Sequence, residues 1–219
     1  MTRHLPEHQT LARAKPSARA VMAGRLDRRI VLLAGWLLLA NAILLALAAP
    51  ARAEVREARP DGFVSVNEAV MPLLPAQLWK AVINWQAWWD PAHSYSGQPG
   101  MLRLDARAGG TLSETWPGGS VEHARVVNAM PPTLLRLNGG FGPLQSLPVN
   151  AVLDIAIKPD PMGSRITMTY RVAGAAQSKL DTLAAPVDAV MSAGFDRLVT
   201  FANTGANTGA NTGANTGKP

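Results

Sequence analysis

Two stretches hold the residues with chemical potential. The first is LSETWPGGSVEHAR, Leu112 to Arg125. A four-residue turn over Pro117–Ser120 would set Trp116 opposite Val121, Glu114 opposite His123 and Leu112 opposite Arg125. All six side chains would then share one face, because side chains alternate with period two. Directly opposed residues have Cβ atoms about 4.5–5.5 Å apart. A glutamate and a histidine at that spacing raise the imidazole pKa and lower the carboxyl pKa. Such a pair is suited to general acid–base work, which makes Glu114 and His123 the candidate catalytic residues. Set among Leu112, Trp116 and Val121, the polar groups Glu114, His123 and Arg125 also have the composition of a ligand pocket. If the face is solvated, the pair is a surface ion pair worth under about 1 kcal/mol. Which sheet face is concave is open from the sequence.

The second stretch is WQAWWDPAHSYSG, Trp85 to Gly97, with three of the six tryptophans and one of the two tyrosines. Trp85, Trp88 and Trp89 share one side of a helix. Asp90-Pro91 ends it, because a residue before proline avoids helical geometry. His93, Ser94, Tyr95 and Ser96 fall on the following loop. Trp85 and Trp88 are expected to pack. Trp89, His93 and Tyr95 are expected at a cavity mouth, where an apolar body with a polar tip is suited.

Other chemistries find little support. His93 and His123 are the only histidines after residue 53, and the chain has no cysteine. A metal needs three or four converging ligands, so neither a metal nor any other cofactor is expected. There is no Gly-x-Ser-x-Gly elbow, and Ser94 or Ser96 beside His93 is a weak pairing. Gly109-Gly110 and Gly118-Gly119 read as turns, not phosphate loops. The formal charge of +6 is confined to one end. Residues 1–53 hold eight Lys/Arg against two Asp/Glu, and residues 54–219 hold thirteen of each. The later part has no basic field to attract phosphates, so nucleic acid is not expected as a partner.

The elements that must position these residues follow from periodicity. Phe63–Val70 reads as a strand. Pro75 opens a helix with Leu78, Trp79, Val82 and Ile83 at 3–4 spacing. Strands are predicted at Met101–Asp105, Thr111–Trp116, Val121–Asn128, Thr133–Leu137, Val149–Ile157 and Arg165–Val172, punctuated by glycine and proline pairs. The last element is a helix with Leu180, Leu183, Val187, Val190, Met191 and Leu198 on one stripe. Pro186 should kink it or start a second segment. Neighbouring strands on short turns make an antiparallel meander, and the C-terminal helix is its cover.

The ends read differently. Arg25, Arg28 and Arg29, the apolar run Ile30–Ala49 and Ala51-Arg52-Ala53 together read as an export signal over residues 1–53, cut after Ala53. Met22 is an alternative start that gives a signal of ordinary length. The run is also long enough to span a bilayer, so an uncleaved anchor is the competing reading. Residues 54–62 read as a polar linker. Four ANTG repeats fill Ala202–Gly217, and residues 202–219 read as a disordered tail.

The order of elements, with the Trp79 helix, Trp88-Trp89, Gly109-Gly110, Glu114, Pro131-Pro132, the Leu134–Leu137 strand and the Val187–Val190 helix, resembles the START/Bet v 1-like (SRPBCC) superfamily. The similarity covers roughly residues 63–200. It is strongest to the bacterial branch that includes polyketide cyclase/dehydrase and Aha-type chaperone-ATPase-activator domains. The resemblance implies an α+β helix-grip fold: a curved antiparallel sheet around a long C-terminal helix, with an internal cavity. It also implies that the Trp85–Gly97 helix and loop close one end of that cavity. A cytosolic chaperone partner conflicts with the export signal. The function expected is an exported, periplasmic or secreted binding protein for a small hydrophobic or amphipathic ligand, touching membrane only through its N-terminal segment. Trp89, His93, Tyr95, Leu112, Glu114, Trp116, His123 and Arg125 are the expected ligand contacts. A cyclase or dehydratase using Glu114 and His123, and an envelope interaction module with no cavity ligand, stand as alternatives.

Overall fold

The computed structural model describes residues 52–212. Strand β1 spans Arg52–Arg59 and β2 Gly62–Met71. Helix α1 (Pro75–Ile83) and the short α2 (Trp85–Trp88) follow. Then come β3 (Leu102–Leu104), β4 (Thr111–Trp116), β5 (Gly119–Met130), β6 (Leu134–Asn138), β7 (Val149–Asp160) and β8 (Gly163–Gly174). Helix α3, Leu180–Thr212, ends the described chain. The strands form one antiparallel sheet in the order β1-β2-β8-β7-β6-β5-β4-β3. A single sheet laid along a long C-terminal helix is the α+β helix-grip arrangement.

Alternation builds the inner face. Ala151, Leu153, Ile155 and Ile157 of β7 pair with Val172, Tyr170, Met168 and Ile166 of β8, and all eight are buried. Helix α3 meets this face with Leu180, Ala184, Val187, Met191, Phe195, Leu198 and Ala202, a run of 3–4 spacings that keeps one stripe inward. Burying each large apolar side chain of this kind stabilises the fold by about 1.5–3 kcal/mol. Bulges interrupt the ladders in β1, β5 and again in β5, at the breaks Val55/Glu57, Leu112/Ser113 (on the partner side) and Val126/Asn128. Each adds a local bend, which curves the sheet toward the helix.

Helix α1 starts where Pro75 predicts, and Leu74 N–H donates to Gln77 Oε1 at 2.9 Å to close its first turn. Pro186 lies inside the continuous helix α3, so no second segment begins there. Proline removes one backbone donor, and the helix carries that loss near its solvent-facing first turns.

Two expectations at the ends are corrected. Residues 54–62 are not a linker: they are most of β1 and its turn, paired with β2 from Glu54↔Val66 to Arg59↔Gly62. The charged composition concealed an edge strand whose Val55 packs against the core. The ANTG segment is not without structure from its start, because α3 continues through it to Thr212. A four-residue repeat returns alanine at a helical-neighbour spacing, and Ala202, only 5 % exposed, seats the first repeat. The expected signal lies outside the described residues except for Arg52 and Ala53, whose backbone opens β1. Residues 213–219 of the expected tail also lie outside them. Among the described residues, no helix is long and apolar enough to cross a membrane.

Candidate functional site

The hairpin that should carry Glu114 and His123 folds with a different register. Pro117 and Gly118 alone make the turn, with Gly118 at φ +95°. Trp116 pairs with Gly119, Thr115 with Ser120, Glu114 with Val121 and Ser113 with Glu122. The ladder then slips, and Leu112 pairs with Ala124. His123 is the extra residue of this bulge. Two consecutive β5 residues, His123 and Ala124, are therefore both buried. Beyond the bulge the faces exchange, so Arg125 points to solvent and pairs with Glu122 at 2.9 Å. This corrects the placement of Arg125 in the pocket. Trp116 is also not in the cavity wall. It lies over Gly119, where an added Cβ would meet its ring at 2.6 Å.

The bulge still brings Glu114 and His123 together. His123 Nε2 lies 3.3 Å from Glu114 Oε2, and both side chains are buried. The carboxylate has other partners as well. It accepts from Tyr95 N–H at 3.0 Å and from Ser96 N–H at 2.8 Å. The Ser96 hydroxyl also donates to it. Burial by itself raises the Glu114 pKa, but the bonds from Ser96, Tyr95 and His123 outweigh that and hold it below its ordinary value. For His123, burial lowers the pKa and the Glu114 carboxylate raises it. Burial dominates, so the imidazole stays below its ordinary value and is neutral near pH 7. The expected upward shift of the histidine is thus reversed. With Nε2–H shared to a carboxylate that can only accept, the free lone pair is on Nδ1.

In front of His123 is a cavity of about 470 Å³. One wall is aromatic: Trp85, Trp89, Phe141 and His123. A second wall comes from α3, through Leu183, Pro186, Val187, Val190 and Met191, and Leu102 and Leu112 of the sheet form the base. The loop after α2 gives Ala92, His93, Ser94 and Tyr95 at the rim, and Gly142 and Pro143 lie across from it. Of the expected contacts, Trp89, His93, Tyr95, Leu112 and His123 line this space. Glu114 sits behind His123.

The loop is held from three sides. Trp89 Nε1–H donates to His93 O at 3.0 Å, and Arg197 Nε–H of α3 donates to Trp88 O at 2.9 Å. Glu114 fixes Tyr95 and Ser96. The Tyr95 hydroxyl reaches across to Gln145 Oε1 at 2.8 Å, and Gln145 Nε2–H donates to Glu122 O at 2.7 Å. Two loops are thereby tied together over the His123 ring, 5.6 Å from that of Tyr95. Trp85 and Trp88 pack as expected, fully buried, with ring centroids 4.4 Å apart.

Sequence reasoning missed Phe141. Its ring is near-parallel to Trp85 at 6.4 Å (2°) and to His123 at 6.4 Å (16°). Its N–H donates to the Tyr170 hydroxyl at 3.0 Å, which in turn donates to Gly139 O. A buried tyrosine with both roles filled has its pKa pushed up by burial. The signal was a lone aromatic inside GGFGP, residues 139–143. Gly139 is required there: a Cβ would stand 2.3 Å from His123 O.

Comparison with known proteins adds resemblance of shape only. No family model matches the chain, and no curated protein matches it. Solved structures do. Protein MLL2253 of Mesorhizobium loti is 15 % identical, with a TM-score of 0.46, over 64 % of this chain and 97 % of that one. Protein Ms6760 of Mycobacterium smegmatis is 14 % identical, with a TM-score of 0.47, over 70 % and 95 %. CalU16 of Micromonospora echinospora is 14 % identical, with a TM-score of 0.46, over 71 % and 76 %.

Proposed function

We propose that this domain binds a small hydrophobic or amphipathic ligand between the sheet and α3. The observation that carries the reading is the cavity itself. At about 470 Å³ it falls within the range of small-molecule sites. Its wall is aromatic and aliphatic, with few polar groups at fixed positions.

Binding is better supported than a cyclase or dehydratase reaction. Glu114 is fully buried and its oxygens are occupied by loop donors. It acts on the loop and on His123, not on anything in the cavity. His123 alone would have to serve as both acid and base.

We further propose that the chain is exported, with cleavage after Ala53. Five paired positions of β1 (Glu54, Val55, Glu57, Ala58 and Arg59) lie beyond that bond, so the sheet keeps its edge after cleavage. The test is native mass spectrometry with solvent extraction on protein from the envelope fraction of its own host. A chain beginning at Glu54 with a co-purifying apolar molecule is the expected result. Folded protein with an empty cavity that also takes up no added hydrophobic compound would overturn the binding reading. A mass that retains residues 1–53 would overturn cleavage.

A further inference from the structure

We infer that the ligand is an uncharged, flat aromatic molecule whose hydroxyl donates to His123 Nδ1, and that carboxylates and phosphates are excluded. This rests on the binding reading above and narrows it.

Flatness follows from the wall. The ring planes of Trp85 and Phe141 differ by 2° and those of Phe141 and His123 by 16°. All three of these near-parallel rings line the cavity. A planar ring system meets such a wall by offset stacking or edge contact. A flexible alkyl chain would lose rotamer freedom against it and gain no comparable geometry.

The charge follows from what the wall lacks and from where its protons go. No lysine or arginine is among the lining residues. A carboxylate, Glu114, lies directly behind His123. An anion brought there would be desolvated beside a like charge, the least favourable arrangement for it. The hydrogen-bonding protons of the wall are mostly committed. Trp89 Nε1–H is given to His93 O, the Ser94 hydroxyl to Pro91 O and the Tyr95 hydroxyl to Gln145. The ring N–H groups of Trp85 and His93 are the remaining side-chain donors of the lining. Two such ring donors do not offset the Glu114 carboxylate. On the accepting side, His123 Nδ1 has no protein partner among the described residues, because Nε2 carries the bond to Glu114. His123 lines the cavity, so a ligand hydroxyl can donate to this open lone pair.

The test uses three compounds on one ring: 2-naphthol, 2-methylnaphthalene and 2-naphthoate. Each is titrated into the full chain by calorimetry near pH 7.5. In parallel, the ¹⁵N imidazole resonances of the histidines are followed. The expected order is 2-naphthol tightest, 2-methylnaphthalene weaker by about fivefold, and 2-naphthoate weaker than 2-naphthol by about 100-fold or more. The His123 Nδ1 resonance should move with 2-naphthol and not with 2-methylnaphthalene. In His123→Phe the naphthol advantage should vanish while 2-methylnaphthalene still binds. The comparison on the unmodified protein stands even if that variant does not fold. Binding of 2-naphthoate as tight as 2-naphthol, or equal binding of all three, overturns this inference and leaves the cavity reading intact. Failure of all three to bind overturns both.

Discussion

His123 reaches Glu114 across a bulge, at 3.3 Å, from a strand position that the ladder pairs with no residue. The two are diagonal neighbours on one face, not opposed partners. Glu114 is thereby free to hold the loop on one side and the imidazole tautomer on the other.

Glu114→Gln tests the hold on the loop. The amide keeps one acceptor oxygen and puts a donor in place of the other, against the N–H of either Tyr95 or Ser96. Loss of charge-assisted bonds of this type costs about 2–3 kcal/mol. Thermal unfolding should register that loss. Amide exchange should speed up at Ser96 by at least about tenfold while β7 and β8 stay protected. Unchanged exchange at Ser96 would contradict the proposed hold.

The pH dependence has a definite sign. Glu114 has a folded pKa below its unfolded value, so its stabilisation is complete above about 4.5 and is lost as pH falls through the folded value. His123 also has a lowered folded pKa. The unfolded chain therefore takes up its proton first, and stability declines as pH drops below about 6.5. Both effects run the same way. Denaturant unfolding from pH 8 down to about pH 2 should show stability falling in two stages. His123→Phe should remove the upper stage, and a profile still falling between pH 6.5 and 5 in that variant would be inconsistent with the assignment.

Gly139→Ala should be far more damaging than its size suggests. The new Cβ would meet backbone at 2.3 Å from His123 O and 2.6 Å from Ala124 Cα, where no side chain can swing away. Overpacking of this kind costs about 1–3 kcal/mol. Gly100→Ala, with nothing within 4 Å, is the control and should stay within about 0.5 kcal/mol. Chemical denaturation of the two variants side by side gives the comparison.

Gly194→Ala separates binding from stability. The added Cβ would press on the Trp89 ring at 2.7 Å and tilt it toward the cavity. Alanine also favours the helix by up to about 1 kcal/mol, which offsets part of that contact's cost, so the midpoint of unfolding should fall by less than in Gly139→Ala. Affinity for 2-naphthol should fall by about tenfold or more. Unaltered affinity would show that the indole gives way elsewhere.

Most of the fold is legible in the sequence. Alternation located every strand of the β2–β8 set, and Pro75 marked the start of α1. The failures have physical causes. Edge strand β1 reads as a charged linker because its sequence, RAEVREAR, has no run of alternating large apolar residues. The His123 bulge is invisible to a period-two count, which is why Arg125 was placed on the wrong face. The Glu114–His123 pair survives the slip in register because a turn shorter by two residues shifts the pairing by an even number, which keeps both side chains on one face. Phe141 carries no periodic signal at all, since its position is fixed by the contacts of a loop.

The two margins of the sheet differ in kind but act alike. On one side β3 is only three residues long. On the other, β1 carries Glu54, Arg56, Glu57 and Arg59, with its ladder broken between Val55 and Glu57. A second copy docking strand to strand would find too few amides at one margin and unmatched charge with a broken register at the other. An open sheet of this size is thereby guarded against fibrous self-association, and the residues that made β1 resemble a linker are the ones that provide the guard.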